Sequence, residues 1–145
     1  QLADTSPIRA SLLESIDGIK DPAHRVVVSA HDPATFRVKL RLRVVDGAAF
    51  GPVSAAIEAA LVDAFGFERR TFGQPVTFAE VVAVAQHVEG VRAIDVDELH
   101  RTDAGVTVSE VMPAAAATWD GLAITRAELL TVDPEQIEIS PLEDT

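Results

Sequence analysis

The clearest pattern along the chain is an alternation. Over residues 36–44, Phe36, Val38, Leu40, Leu42 and Val44 take every second position, and Arg37, Lys39, Arg41 and Arg43 fill the gaps. Successive side chains on a strand point to opposite faces, so this period predicts a half-buried strand, apolar on one side and basic on the other. Asp46-Gly47 predicts the turn that ends it. Upstream, the valines of 25–30 predict another strand, and His31-Asp32-Pro33-Ala34 predicts a turn between the two.

Elsewhere the period is helical. Ser6-Pro7 is a helix start, with Ile8, Leu12, Leu13 and Ile16 on one face and Gly18 as the stop. After Gly51-Pro52, the residues Val53, Ile57, Ala60, Leu61, Ala64 and Phe65 form the buried stripe of a second helix. Gly66 closes it, with Phe67 as the hydrophobic contact just outside, and Glu68-Arg69-Arg70 reads as a solvated link.

The stretch that follows is densely punctuated. Pro75 holds Gln74 extended. Thr77 and Glu80 stand in the capping-box relation at the head of a third helix over 77–88, and Val76 and Val81 suit a hydrophobic staple. Phe78, Val81, Val82, Ala85 and Val88 make its apolar side, and Gly90 permits a left-handed exit. A strand over 91–100 comes next, with Ile94 and Val96 on one face and Asp95 and Asp97 on the other. Were it to lie beside the basic strand, Asp95 and Asp97 would face Arg41, Arg43 or Lys39 and set the register.

Beyond this point the pattern weakens. Asp103-Ala104-Gly105 predicts a turn, 106–108 a short strand, 112–118 an Ala-rich irregular excursion, and Trp119-Asp120-Gly121 a further turn. Residues 128–130 and 137–139 flank an Asp133-Pro134 turn, the latter as a short edge strand. The expected fold is α+β: a small, mostly antiparallel sheet covered by two main helices, with an extra N-terminal helix and an extended C-terminal arm. The expected division is an N-terminal helix and linker (1–24), a core (25–110), and a loop with the arm (111–145).

Composition narrows the function classes. At 145 residues and 48% hydrophobic, the chain suits one domain with a real core, built from aliphatics because aromatics are only 5%. A net charge of -11 argues against nucleic acid and anionic membranes as partners. With no cysteine, disulfides, thiolate metal sites and cysteine nucleophiles are excluded. No apolar run approaches a membrane span. A first residue of Gln1 rather than Met leads to the expectation of a piece of a longer protein.

Candidate chemistry is sparse. The glycines of 46–51 lack the phosphate-loop lysine and the dinucleotide spacing. Asp95, Asp97, Glu98 and His100 are the best metal-like cluster, without a calcium-loop pattern, and exposed strand charge is the stronger reading. Ser29, His31 and Asp32 lie too close in sequence for a triad. His24, His87 and His100 are scattered. The stripe Arg37, Lys39, Arg41, Arg43 lacks the exposed aromatics of a nucleic-acid platform, and reads as sheet charge matched by acidic neighbours or as a protein contact. Residues 127–145 carry six acidic side chains and no basic one, which suits solvation or docking on a basic stripe, including that of another copy. No catalytic, cofactor-binding or metal-binding residue is therefore assigned, and an enzyme is not expected.

Several pieces resemble one family. Ala60-Leu61-Val62-Asp63-Ala64-Phe65, Phe72-Gly73-Gln74-Pro75-Val76, Glu80-Val81 and the segment from Val88-Glu89-Gly90 through Asp97 are similar to the C-terminal region of the baseplate J-like family. So is Ala127-Glu128-Leu129-Leu130-Thr131-Val132-Asp133-Pro134. The resemblance covers roughly 25–139 and leaves Ala114 to Ala117 and the Trp119 loop unmatched. It implies a structural part of the baseplate wedge in a contractile phage tail or injection system, assembled in the cytoplasm. The implied partners are other wedge and hub proteins, with copies of itself a further candidate, and no catalytic residues or cofactors come with it. The alternative is a small acidic protein-binding domain outside any baseplate. Phe72 is expected to bury against the second helix and fix the link between helices. An exposed surface is expected near Phe67, Phe72 or Trp119.

Overall fold

In a computed structural model, residues 6–23 and 26–143 are described. The fold is α+β, with two helices packed on one side of a mixed sheet. Helix α1 is Pro7–Asp17, strand β1 Asp32–Val44, helix α2 Phe50–Phe65, strand β2 Val76–Thr77 and helix α3 Phe78–Gln86. Strand β3 is Val91–Arg101, followed by β4 Val111–Met112, β5 Thr118–Trp119, β6 Ile124–Thr125 and β7 Glu128–Pro141.

The alternating strand lies at the centre of the main sheet, ordered β3-β1-β7. Phe36, Val38, Leu40 and Leu42 are buried beneath the helices, and the basic positions between them are half-buried on the opposite face. From α2 come Val53, Ile57, Leu61 and Phe65, and from α3 Val81 and Ala85. The Phe36 and Phe65 rings meet edge-on at 5.5 Å, a favourable geometry for their quadrupoles.

The punctuation of α3 is as its sequence predicts. Thr77 Oγ1 accepts from the Glu80 amide, and Glu80 Oε2 accepts from the Thr77 amide. Val76 and Val81 are both fully buried in the core. Gly90 has φ 91, and a Cβ there would stand 2.8 Å from Val53 Cγ2. Left-handed backbone and close packing on α2 both call for glycine.

Several expectations are corrected. Residues 26–30 form no strand; β1 begins at Asp32, where a turn was expected, and Arg25 lies outside the described residues. β-branched propensity alone does not make a strand without a neighbour to pair with. Pro33 is tolerated because β3 pairing begins only at Phe36, leaving β7 as its one neighbour. The segment taken as a C-terminal arm with a short edge strand is instead β7, a 14-residue strand of the main sheet. It runs parallel to β1, so the sheet is mixed rather than mostly antiparallel. The Asp133-Pro134 turn survives as a bulge: Phe36 pairs with Val132 and Val38 with Ile137. In the Ala-rich region, β4 pairs with β2 and buries Met112, while β5 and β6 form a hairpin around Asp120-Gly121. Finally, Phe67 is 63% exposed and makes no hydrophobic cap on α2.

Candidate functional site

On the outer face of the sheet, the basic stripe is matched by acids from both flanking strands. Arg41 pairs with Asp95 and, at 2.9 Å, with Asp97. Arg37 donates to Glu98 and Glu138 at 2.9 Å and to Gln136 at 3.0 Å. Lys39 pairs with Glu138, whose carboxyl this contact holds below its usual range. These groups are partly exposed, so each pair alone adds little to stability, and their joint effect is to fix register. Glu138 belongs to the acidic C-terminal stretch, part of which thus lies on the stripe of its own chain.

The metal-like cluster is spent in the same way. Asp95 and Asp97 converge on Arg41, while Glu98 takes Arg37. A bulge places Glu98 opposite Lys39 and Val96 opposite Leu40. His100 is buried, with Nδ1 2.9 Å from the Arg101 carbonyl and Nε2 3.7 Å from Glu98. Among the described residues, no group of three or more histidine, cysteine, aspartate or glutamate residues is placed to hold a metal ion. Ser29 Oγ donates to the Ala30 carbonyl, Asp32 pairs with Arg126, and the His31 ring lies tilted against Phe72 at 5.4 Å, so no triad forms. His87 caps α3 from an exposed position, and His24 lies outside the described residues.

Two arginines, Arg70 buried and Arg101 largely covered, hold positions that the sequence did not mark. Arg101, at the end of β3, uses all five N–H donors. Its guanidinium makes a two-pronged bond to Glu128 at 2.8 Å, another pair to Asp103, and one bond to the Pro113 carbonyl. Glu128 Oε2 also accepts from the Ala115 amide. The cluster joins the two edge strands at the foot of the sheet and holds the Ala-rich segment there. Hydrogen bonds to Glu128 and Asp103 raise the Arg101 pKa, and hydrogen bonds from Arg101 and Ala115 hold the Glu128 carboxyl below its usual value. The clue lay in Val96-Asp97-Glu98-Leu99, where two polar residues between apolar ones mark a bulge. That bulge puts Arg101 on the same face as Phe36.

Arg70 is buried, not the solvated link expected of it. It donates to the carbonyls of Leu130, Gln74 and Pro75, and lies 5.7 Å over the Phe65 ring. Burial pushes its pKa down. Arg70, not Phe72, fixes the link between α2 and α3. Phe72 is 59% exposed, contrary to expectation. The rest of its block has a backbone role. Gly73 has φ 70, donates to the Glu128 carbonyl at 2.9 Å, and leaves a Cβ no more than 3.0 Å from Ala116. Gln74 Oε1 closes the turn by accepting from Thr71.

What remains open is apolar. A groove of about 570 Å³ lies between the coil of Val27, Val28 and His31, the Phe72 turn, and Ala117 and Ile124 beside the β5–β6 hairpin. Phe67, Phe72 and Trp119 are all substantially exposed, as is Leu122 at the hairpin tip. The groove suits contact with another macromolecule better than chemistry on a small molecule, because its lining is mostly apolar, with Ser29, His31 and Arg126 as its polar members.

No helix among the described residues is long and apolar enough to cross a membrane. The chain matches no family model, and no curated protein matches it.

Proposed function

We propose that this chain is a non-enzymatic assembly domain of the baseplate wedge in a contractile phage tail or injection system. The observation that carries the reading is the open apolar surface around Phe72, which stands at the head of the 72–76 block that resembles the baseplate J-like family. The rest of that block serves the backbone and the α2–α3 link, leaving the Phe72 ring free to meet a partner. The mostly antiparallel pattern expected of the sheet plays no part in the reading; the two-helix cover and the central basic strand do.

The partners are neighbouring wedge and hub proteins, and the work is to hold them in register. The test is co-expression with the wedge and hub proteins of a parent contractile system, followed by purification through a tag on this chain. Stoichiometric co-purification is expected, and reduced by Phe72→Glu. No association with any wedge or hub protein overturns the reading. Association only with a protein outside the assembly favours a small acidic accessory domain instead.

A further inference from the structure

The main sheet has an edge that is open over part of its length. β7 pairs with β1 on one side and with no strand on the other. At the head of β7 that other side is occupied. The Glu128 carbonyl accepts from Gly73, the Glu128 amide donates to Ala115, and the Leu130 carbonyl accepts from Arg70. From Gln136 to Pro141, no other segment among the described residues bonds to the backbone on that side. Leu142 donates to the Leu42 carbonyl, and Leu42 stands opposite Pro141. In a parallel ladder this phase turns the backbone of Glu138 and Ser140 toward β1, and leaves the N–H and C=O of Ile137 and Ile139 pointing outward. The bulge at Asp133-Pro134 and the missing N–H of Pro141 bound the open stretch and keep it short.

We infer that this edge takes up an extended segment of another protein as a fourth strand, one in which basic and apolar residues alternate. The unpaired backbone groups of an edge strand are a template for a further strand, and the ladder itself supplies the affinity. The side chains select which strand. Glu138 lies on the outer face, whereas Ile137 and Ile139 pack against the core on the other. Residues 127–145 hold six acidic side chains and no basic one, so a strand of like charge is disfavoured opposite them. A second copy offering its own β7 meets that penalty. The outer face already runs acidic on β3, basic on β1 and acidic on β7, so the next strand in that order is basic. Glu138 meets Arg37 and Lys39 of β1 and is still 48% exposed. A basic residue between two apolar ones would stand beside Glu138, with its neighbours beside Ile137 and Ile139.

The inference does not rest on the baseplate reading, since it is tested on this chain alone with a synthetic peptide and residue-resolved hydrogen exchange. In the free chain, the amides of Ile137 and Ile139 are expected to exchange faster than those of Glu138 and Ser140, which bond to β1. A capped peptide of alternating valine and lysine is expected to slow exchange at Ile137 and Ile139. The same peptide with glutamate for lysine is expected to bind several-fold more weakly. N-methylation of the peptide's edge-facing amides, or Ile139→Pro in the chain, is expected to weaken binding roughly threefold to tenfold. The methylated peptide decides the matter should Ile139→Pro fail to fold. Glu138→Lys is expected to reverse the preference toward the glutamate peptide. Phe72→Glu is expected to leave it unchanged, which separates this edge from the groove. Exchange at Ile137 and Ile139 as slow as at Glu138 and Ser140 in the free chain overturns the inference, because the edge is then already covered. So does equal binding of the two peptides, binding of neither, or protection confined to the groove.

Discussion

The sheet's outer face and the groove beside Phe72 resolve their side chains in opposite ways. On the sheet, Arg37, Lys39 and Arg41 each find a carboxylate on a flanking strand. At the groove, Phe72 stays largely exposed and Val27 partly so, although an apolar surface gains from being covered. A charged surface that neutralises itself has little left to offer a partner. An apolar surface left open is the part that association would complete. Stability and binding should therefore separate: substitutions in the two-layer core act on folding, and substitutions at the groove act on association.

The strongest test of that separation is Leu40→Ala. Leu40 is fully buried on the central strand, so its loss should cost about 2–5 kcal/mol by chemical denaturation. The groove residue Phe72, larger but exposed, should show a much smaller change on truncation. Comparable losses at the two positions would break the comparison.

Next in size is Arg101→Ala. It strands Glu128, which is largely covered, and releases the Ala-rich segment from the foot of the sheet. We expect a loss of about 2–3 kcal/mol at neutral pH, below the 3–5 of a fully buried pair because both groups keep some contact with water. The acid dependence checks the cause. The Glu128 carboxyl is held below its ordinary value of 4.5 by hydrogen bonds from Arg101 and Ala115. A depressed carboxyl contributes stability above its unfolded value, and that contribution is lost as pH falls through the folded one. The native chain should thus lose stability faster than Arg101→Ala as pH drops below 4.5, narrowing the gap between them. A gap that stays constant through this range would assign the Arg101 effect to packing instead.

These tests fall on residues of unequal legibility. Phe36 to Leu42 announce their strand because one face is buried along its whole length. Thr77, Glu80 and Gly90 announce theirs because capping and positive φ are local demands. The parallel pairing of β7 was not legible: Glu128 and Asp32 lie far apart in sequence, and no local rule selects which edge of β1 a late strand joins. Arg70 was hidden for a related reason, since it is held by the nearby carbonyls of Gln74 and Pro75 and by the distant carbonyl of Leu130, and none marks it in sequence. The groove was half visible. Phe67, Phe72 and Trp119 were expected near an exposed surface, whereas the coil of 26–30 that forms its wall was expected as a strand.

A smaller effect is expected at the head of α3. Thr77→Ala removes the acceptor for the Glu80 amide, and should cost about 1 kcal/mol in the same denaturation measurement. Because α3 packs over β3 and away from the groove, association should be unchanged. A Thr77→Ala chain that lost its association with wedge or hub proteins would mean that the groove's walls depend on the helical layer, and the two regions would no longer be separable.

The smallest expected change in stability carries the most about function. Phe72→Ala removes a ring that is 59% exposed and rests at 5.4 Å on His31. Little buried area is lost, so stability should move by no more than about 0.5 kcal/mol, the usual range for surface positions. Gly73 and Gln74 should hold the turn without the ring, since their bonds run through the Gly73 amide and the Gln74 side chain. Association is where the loss should appear, because an exposed aromatic in an apolar groove is the type of side chain that dominates interfaces. Denaturation and co-purification with wedge or hub proteins decide it. An unchanged fold with weakened association places the role of Phe72 at the surface, while a large loss of stability with association intact would return it to the link between the helices.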